Sequence, residues 1–309
     1  MLTSILALGS TALELGLISS LTVLALFLSY SMLNVCDLST DGCFTLGAVV
    51  GAVVALSGHP FLSLPVAMIA GMLSGLVTAL LQTKMGVDSL LSGIIVNTGL
   101  YSVNIAIMSG SSLLNMNKTE TIFTKARALL LNTPFASSYK LVVIVTIVAV
   151  AVILLTLFLR TKLGLAIRAT GNNPDMVKTS SINPAFTTIV GLVCSNALTS
   201  LSGCLLAQMQ KSVNITIGSG MVTIALASLL IGNAFLGRGS ILKRALGAVL
   251  GAFVFRLVYT IALRFDLPAY MLKLVSSIIV VLAISGPYFK KKIPEYKRIR
   301  DARKAVKNA

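Results

Sequence analysis

Residues 139–159 read YKLVVIVTIVAVAVILLTLFL, and Lys140 is the only charged residue among them. A run of about 20 apolar residues is long enough to cross the roughly 30 Å hydrocarbon core of a membrane as a helix. The chain as a whole is also strongly apolar, because 56% of its 309 residues are hydrophobic and 11% are charged. Soluble domains contain about 25% charged residues, so a water-soluble fold would expose too much apolar surface. The sequence predicts an all-α, polytopic membrane protein.

Hydrophobic segments recur along the chain and predict a helical bundle of about nine segments. The second and seventh segments are too short to span a membrane comfortably, which is typical of broken or re-entrant helices buried within the protein. The turn-like sequence CDLSTDG (Cys36–Gly42) before the second segment favours this interpretation. The segments lie near residues 11–33, 43–57, 61–83, 89–109, 139–159, 185–210, 221–236, 243–263 and 269–287.

Basic residues between the segments predict the orientation of the chain. They cluster in residues 160–178, in residues 238–244 and after Phe289, and short basic loops stay in the cytoplasm. With these three regions in the cytoplasm, the N-terminus lies outside and the C-terminus is cytoplasmic. The region from Gly110 to Lys140 is then outside although it has four cations and one glutamate, so it conflicts with the rule.

Charge and motifs argue against several classes of protein. The net charge of +16 lies at segment ends and in the tail rather than on a face interleaved with aromatic residues, so it does not indicate nucleic-acid binding. The chain lacks the GxxxxGK[ST] sequence of a phosphate-binding loop. His59 is its single histidine, and no catalytic set can be assembled around it. The four cysteines lack metal-ligand spacing. We therefore predict a protein that is not an enzyme and binds no cofactor or metal itself.

Residues 160–184 form a long polar interruption, RTKLGLAIRATGNNPDMVKTSSINP. Asn173 can cap a helix, Pro174 suits its first position, and Asp175 interacts favourably with the positive end of its dipole. This helix must be short, because Asn183 precedes the proline that begins the next membrane segment. Its apolar residues, Met176 and Val177, would face something outside the membrane. The pattern favours a docking element, with an ordinary structured loop as the alternative.

Three stretches resemble the permeases of ABC importers of the branched-chain amino acid and ribose class. Residues 160–184 resemble their cytoplasmic pattern G.A.RA.G.NP..A...GIN. LNVCDLSTDGCFTLGA (Leu33–Ala48) resembles their G..DLS.G element, and GRGSILKRALGA (Gly237–Ala248) resembles their G.GS..G...GA loop. The resemblance is strongest to a branch of uncharacterised transport systems whose partner lipoproteins include binders of tryptophan or tyrosine. The sequence departs from the pattern at Ser180–Ser181 and at Lys243–Arg244, which leaves the subfamily and the substrate open.

The resemblance implies a permease domain over residues 1–289 and a basic cytoplasmic tail over residues 290–309, in a bacterial cell membrane. Such a permease pairs with a second copy, which we favour, or with a sibling chain. Two cytosolic ATPases that bind ATP and Mg dock on the pair, and an extracytoplasmic binding protein delivers a small solute such as an amino acid. An ion-coupled secondary transporter is the alternative, and a channel-like facilitator is the third possibility.

By the same resemblance, the loop over residues 160–184 contacts the ATPase, and Pro174 to Ile182 form its coupling helix. The helix is expected to enter a groove on the ATPase and to transmit the movement that ATP drives. The residues implicated in this contact are Arg168, Asn173, Pro174, Asp175, Met176, Val177, Lys178 and Ile182.

Polar residues within the apolar segments predict where a solute passes, because such residues are costly in lipid and face the interior of the bundle. One stripe of the fourth segment has them at i, i+4 and i+7, and others lie in the sixth and seventh segments. Hydrogen bonding between helices is the alternative role for each of them. The predicted pathway residues are Asn97, Tyr101, Asn104, Asn196 and Asn233.

Glu14 and Arg256 are the most deeply embedded charges in the apolar segments. Either charge would cost a few kcal/mol if it were unpaired in the membrane. We expect a structural ion pair between them, or between Arg256 and one of the acids at the first break, Asp37 or Asp41. The scarcity of other embedded acids argues against a proton relay, and therefore against the ion-coupled alternative.

Overall fold

The computed structural model describes residues 2–130, 138–236 and 239–263, together with residues 274, 277–281 and 285. Over this part of the chain it confirms the all-α bundle, with one addition, a two-stranded antiparallel sheet that the sequence did not predict. The elements are α1 (Leu2–Leu26), a π-helical turn (Phe27–Met32), α2 (Thr40–Leu56), α3 (Ser63–Thr83), α4 (Ser89–Ile107), β1 (Leu113–Asn115), α5 (Ile122–Leu130), α6 (Tyr139–Arg160), α7 (Lys162–Asn172), α8 (Pro174–Thr179), α9 (Pro184–Gln210), β2 (Ser212–Asn214), α10 (Met221–Leu236) and α11 (Ile241–Leu263).

Six helices of the described chain are long and apolar enough to cross a membrane: α1 with its π-helical turn, α3, α4, α6, α9 and α11. The two predicted short segments are α2, with 17 residues, and α10, with 16. The ninth predicted segment, residues 269–287, lies mostly outside the described residues. The structure therefore shows helices for the first eight predicted segments, and a count of nine is not established.

The helix α9 lies at the centre of the bundle, packed against α1, α2 and α3. Its serines bond to neighbouring backbone carbonyls. Ser195 Oγ donates to the carbonyl of Ala25 at 2.8 Å, and Ser202 Oγ donates to that of Ile18 at 2.7 Å. Small hydroxyl side chains permit this close packing and link the helices within the membrane. These α9 serines therefore have the structural role that was the alternative to lining a pathway.

Glycines at spacing four, Gly47 with Gly51 and Gly247 with Gly251, lie at close helix contacts, where small residues let two backbones approach. A Cβ atom on Gly47 of α2 would overlap the carbonyl oxygen of Ser200 on α9. A Cβ atom on Gly251 of α11 would overlap the carbonyl oxygen of Ser228 on α10. At these positions only a hydrogen in place of a side chain lets the two backbones approach.

We expect Gly47→Ala to destabilise the protein, because overpacking of a tight contact costs roughly 1–3 kcal/mol. Gly99→Ala is the matched control, since a Cβ atom there would meet nothing within 4 Å and alanine favours a helix by up to about 1 kcal/mol over glycine. Thermal unfolding in detergent should show a lower midpoint for Gly47→Ala and an unchanged or higher one for Gly99→Ala. Equal midpoints for the two variants would contradict the α2–α9 contact.

The two short helices begin inside the bundle. Residues 33–39 are non-helical, and α2 starts beside the middle of α9, where Cys43 Sγ donates to the carbonyl of Asn196 at 3.3 Å. The N-terminus of α10 lies at the same place, because the backbone N–H of Gly220 donates to Asp41 Oδ2 at 2.8 Å. The break predicted from CDLSTDG is thus confirmed, and it brings two helix N-termini together.

Candidate functional site

A cavity of about 390 Å³, lined mostly by residues with polar side chains, lies where the two short helices begin. Its walls are the first turns of α2, the middle of α4 and the loop of residues 215–219. The predicted stripe of Asn97, Tyr101 and Asn104 lines it, so these three side chains do share one face toward a polar space. The helical spacing of the stripe identified this wall correctly, whereas no sequence signal pointed to the 215–219 loop.

Asp41 joins two walls of the cavity. Its Oδ2 accepts from the backbone N–H of Gly220 at 2.8 Å, and its Oδ1 accepts from that of Val222 at 2.8 Å. The first N–H groups of a helix have no partner within the helix. At the start of α10, the Asp41 carboxylate is the acceptor for such groups. The same side chain therefore anchors α10 to α2 and places a carboxylate on the cavity wall.

Asn104 is buried, with 1% of its surface exposed, and is only partly hydrogen-bonded. Its Nδ2 donates to the carbonyl of Gly42 at 3.3 Å. Its Oδ1 has no partner within the described part of the chain. A Cβ atom on Gly42 would lie 2.6 Å from Oδ1 of Asn97, so the Asn97 amide rests directly on the bare backbone of α2. Glycine at position 42 therefore lets the Asn97 amide reach the α2 wall.

Asn196 does not line the cavity. It holds the break between the π-helical turn and α2, because its Nδ2 donates to Asp37 Oδ2 at 2.7 Å. The other oxygen of Asp37 accepts from the backbone N–H and the hydroxyl of Ser39, at 2.8 and 2.6 Å. A buried carboxylate is tolerated only when its oxygens are hydrogen-bonded, so Asn196 has a structural task here.

Asn233 does not line the cavity either. It lies on α10, about 18 Å along the helix from Met221 at the rise of 1.5 Å per residue. The structure thus brings together three of the five predicted pathway residues and leaves Asn196 and Asn233 apart from them.

The interruption between α6 and α9 folds as its capping residues predict. Asn173 Oδ1 accepts from the backbone N–H groups of Asp175 and Met176, both at 3.1 Å, and Pro174 occupies the first turn of α8. Lys178 Nζ lies 3.1 Å from Asp175 Oδ1, with both side chains exposed. Asn183 caps α9 in the same manner by accepting from the N–H of Ala185 at 3.0 Å.

The two apolar residues of α8 differ in exposure. Met176 has 67% of its surface exposed, whereas Val177 has 3%. The expectation that both side chains face outward is therefore wrong for Val177. The six-residue helix α8 has one face against its own chain, and Val177 lies on that face. Ile182 and Arg168 are half-buried, and Asn173, Pro174, Asp175 and Lys178 are exposed.

The helix α7 is fixed to the rest of the bundle. The hydroxyls of Thr170 on α7 and Thr187 on α9 share a hydrogen bond of 2.8 Å, and Ile167 is fully buried. A Cβ atom on Gly171 would overlap the carbonyl oxygen of Met32 at the end of the π-helical turn. The surface formed by α7 and α8 is therefore in direct contact with the chain that leads into the break at residues 33–39.

The expected ion pair of Arg256 is not formed. Its Nε donates to Ser19 Oγ at 3.0 Å, and its guanidinium lies 5.8 Å from the centre of the Tyr259 ring. The ion pairs of the described residues are Lys125–Glu120 and Lys178–Asp175, both outside the long helices. Arg256 therefore interacts with a hydroxyl and an aromatic ring instead of the predicted acid.

The comparisons with known proteins agree with this architecture. Residues 10–284 match the sequence model of a family described as the permease component of branched-chain amino acid transport systems. The chain belongs to this family. It is a transmembrane permease subunit of an ABC importer and a multi-pass protein of the cell membrane. The family is a transport component rather than an ATPase.

Relatives of the permease come from bacteria and an archaeon. It is 31% identical to the tyrosine transport system permease protein of Clostridioides difficile, over 86% of each chain. It is 28% identical to an uncharacterized protein of Rickettsia prowazekii, over 89% of this chain and 96% of the relative. It is 27% identical to the probable branched-chain amino acid transport permease protein LivH of Methanocaldococcus jannaschii, over 87% of this chain and 86% of the relative. No solved structure matches the permease significantly.

The permease has cavity residues that the sequence did not single out for the pathway. Asp41 was noted among the polar residues at the first break and as an alternative partner for Arg256, but not as a pathway residue, and Thr98, Thr216 and Ser219 were not considered. Asp41 could have been found from its position in CDLSTDG, since an acid at the start of a short buried helix requires a polar partner. The threonines and serine could not, because hydroxyl residues are common throughout the membrane helices of this chain.

Proposed function

We propose that the permease moves an amino acid through the cavity between α2, α4 and the 215–219 loop, driven by ATPases that dock on α8. The observation that supports the docking proposal is Met176, an apolar side chain with 67% exposure on a capped helix. Methionine is enriched at protein interfaces relative to the rest of the protein surface. The substrate class is supported by the names of two relatives, a tyrosine transport system permease and a probable branched-chain amino acid transport permease.

In this proposal α7 and α8 face the cytoplasm, the C-terminus is cytoplasmic and the N-terminus lies outside. The positive-inside rule supports this orientation, since Lys162, Arg168 and Lys178 all lie in the α7–α8 interruption. The sheet of β1 and β2 is then extracytoplasmic, at the opposite end of α9. That end would face the binding protein that delivers the solute.

The proposed complex contains two permease copies, two ATPases that bind ATP and Mg, and one binding protein. Movement of α8 would reach the cavity through a short chain of contacts. It would pass from α7 through Gly171 to Met32, and from there along residues 33–39 to Asp41. Because packed interiors shift between discrete arrangements rather than deform continuously, this route would open the cavity alternately to the two sides of the membrane.

Purification of the tagged permease together with any ATPase and any lipoprotein encoded beside it tests the assembly. We expect a complex with two permease and two ATPase chains by native mass spectrometry, and an amino acid bound to the co-encoded lipoprotein. A permease that purifies without any ATPase would contradict the docking proposal. A sugar or nucleoside on the lipoprotein would contradict the proposed substrate class and leave the docking proposal intact.

A further inference from the structure

We infer that the cavity binds its solute by an ammonium group, held between the Asn104 amide oxygen and the Asp41 carboxylate. This inference rests on the proposed function, because it assigns the chemistry of one point on the proposed route. It adds that the permease itself prefers a solute with a positively charged group, independently of any preference of the binding protein.

The first observation is the state of Asn104. Its Oδ1 is buried and without a partner in the described chain, while its Nδ2 is occupied by the carbonyl of Gly42. A buried acceptor without a partner costs roughly 1–3 kcal/mol. The side chain lines the cavity although Oδ1 itself has almost no exposed surface there, so a solute with a hydrogen-bond donor would remove that cost once its donor reached Oδ1. An acceptor group of a solute, such as a carboxylate, would not.

The second observation is the charge around the cavity. Asp41 is its one carboxylate, and no lysine or arginine is found among the described residues that line it. Both oxygens of Asp41 already accept from α10, but each carboxylate oxygen has a second lone pair for a further donor. A cationic donor therefore finds both an acceptor and an opposite charge here, and a free anion finds no counter-charge.

Helix dipoles reduce this negative charge but do not cancel it. The N-terminus of α10 is equivalent to about half a positive charge, and Asp41 lies directly on it. The N-terminus of α2 carries two acids, because Asp41 lies in its first turn and Asp37 accepts from the backbone N–H of its N-cap residue, Ser39. About half a negative charge then remains at Asp41. The preference for an ammonium group follows from this remainder together with the Asn104 acceptor.

The size of the cavity and its other walls suit a small zwitterion. Its volume of about 390 Å³ is near the lower end of the roughly 300–1,000 Å³ of ligand pockets. Thr98, Tyr101, Thr216 and Ser219 line the remaining wall. The Thr98 and Thr216 hydroxyls donate within the chain, to the carbonyl of Ile94 and to Asn214 Oδ1, so those of Tyr101 and Ser219 are the ones that can donate to a carboxylate. An amino acid therefore fits with its ammonium group toward Asp41 and Asn104.

Cysteine labelling with reagents of opposite charge tests this inference without knowledge of the substrate. Thr98→Cys is made in a variant whose half-buried thiols, Cys36 and Cys194, are replaced by serine. The permease–ATPase complex is treated with 2-aminoethyl methanethiosulfonate, a cation, or 2-sulfonatoethyl methanethiosulfonate, an anion. The control is Ser57→Cys at the exposed end of α2, outside the cavity.

We expect the ratio of cationic to anionic labelling rates to be about tenfold higher at Thr98→Cys than at Ser57→Cys, from the attraction of a nearby partly screened charge. Asp41→Asn should remove most of that difference, and Asn104→Leu should reduce it. Asp41 anchors α10, so if the Asp41→Asn variant does not fold, the Asn104→Leu variant decides the outcome. Equal ratios at the two sites, no reaction at Thr98→Cys, or a ratio that the second substitutions leave unchanged would overturn the inference.

Uptake after labelling separates this inference from the proposed function. If the cavity is on the route, modification of Thr98→Cys by either reagent should block transport, because the attached group fills the cavity. Unchanged transport in the modified protein would contradict the proposed route. Blocked transport without a preference for the cationic reagent would support the route and overturn only the ammonium site.

Discussion

The Met176→Asp permease should insert into the membrane normally but lose its ATPase. In the free chain Met176 is mostly exposed, so a carboxylate there meets water and costs little. In the proposed complex the side chain enters an apolar groove, where an unpaired charge is costly. A buried anchor of this kind contributes about 2 kcal/mol or more to an interface, so the dissociation constant should rise at least about 30-fold. Co-purification of the ATPase and the rate of ATP hydrolysis measure the loss.

Two substitutions on the same helix are the controls for Met176→Asp. Lys178→Gln removes an exposed ion pair with Asp175, which is worth about 0–1 kcal/mol, and the ATPase should stay bound. Val177→Asp buries a charge within the permease itself, so it should lower thermal stability, which Met176→Asp should not. Full ATPase retention in Met176→Asp would mean that α8 is an ordinary structured loop.

The Asn97→Leu/Asn104→Leu double variant is expected to reduce uptake strongly while it assembles with the ATPase. Both amides line the polar cavity, and a lost hydrogen bond to a solute costs about 1 kcal/mol each. Two such losses, about 2 kcal/mol together, correspond to a reduction of roughly 30-fold. Uptake of the labelled solute by whole cells measures this effect, with the amount of assembled complex determined in parallel.

Ser102→Leu is the matched control, because Ser102 lies on α4 with its side chain exposed and does not line the cavity. Its uptake should equal that of the unchanged permease. Unchanged uptake in the Asn97→Leu/Asn104→Leu variant would assign both amides to helix packing alone. Equal losses in the double variant and in Ser102→Leu would point to a general effect of leucine on α4 rather than to the cavity.

The sequence predicted the features that depend on local chemistry. The length of apolar runs predicted the long helices, and α10 begins and ends where its hydrophobic segment does. The cap of α8 was predicted because Asn173, Pro174 and Asp175 each satisfy a requirement of the first helical turn alone. The helical spacing of Asn97, Tyr101 and Asn104 predicted a shared face, since that spacing is a property of one helix.

The features missed depend on distant parts of the chain. Val177 was expected to be exposed but is buried. Its burial depends on how α8 lies against its own chain, which the local sequence does not show. The task of Asp41 depends on Gly220 and Val222, some 180 residues away. The pairing of β1 with β2 joins two three-residue strands with five helices, α5 to α9, between them. Strands as short as these leave no pattern of their own in the sequence. Arg256 interacts with a hydroxyl and a tyrosine ring, whereas its charge alone predicted an acidic partner.

ATP-driven uptake in proteoliposomes distinguishes most directly between an importer permease and an ion-coupled carrier. The vesicles contain the permease and its ATPase, with the loaded binding protein on one side and ATP with Mg on the other. We predict that the solute accumulates only with ATP, that an inactive ATPase abolishes the accumulation, and that a protonophore or a sodium ionophore leaves it unchanged. Accumulation by the permease alone, driven by an ion gradient and abolished by the ionophore, would contradict the importer mechanism.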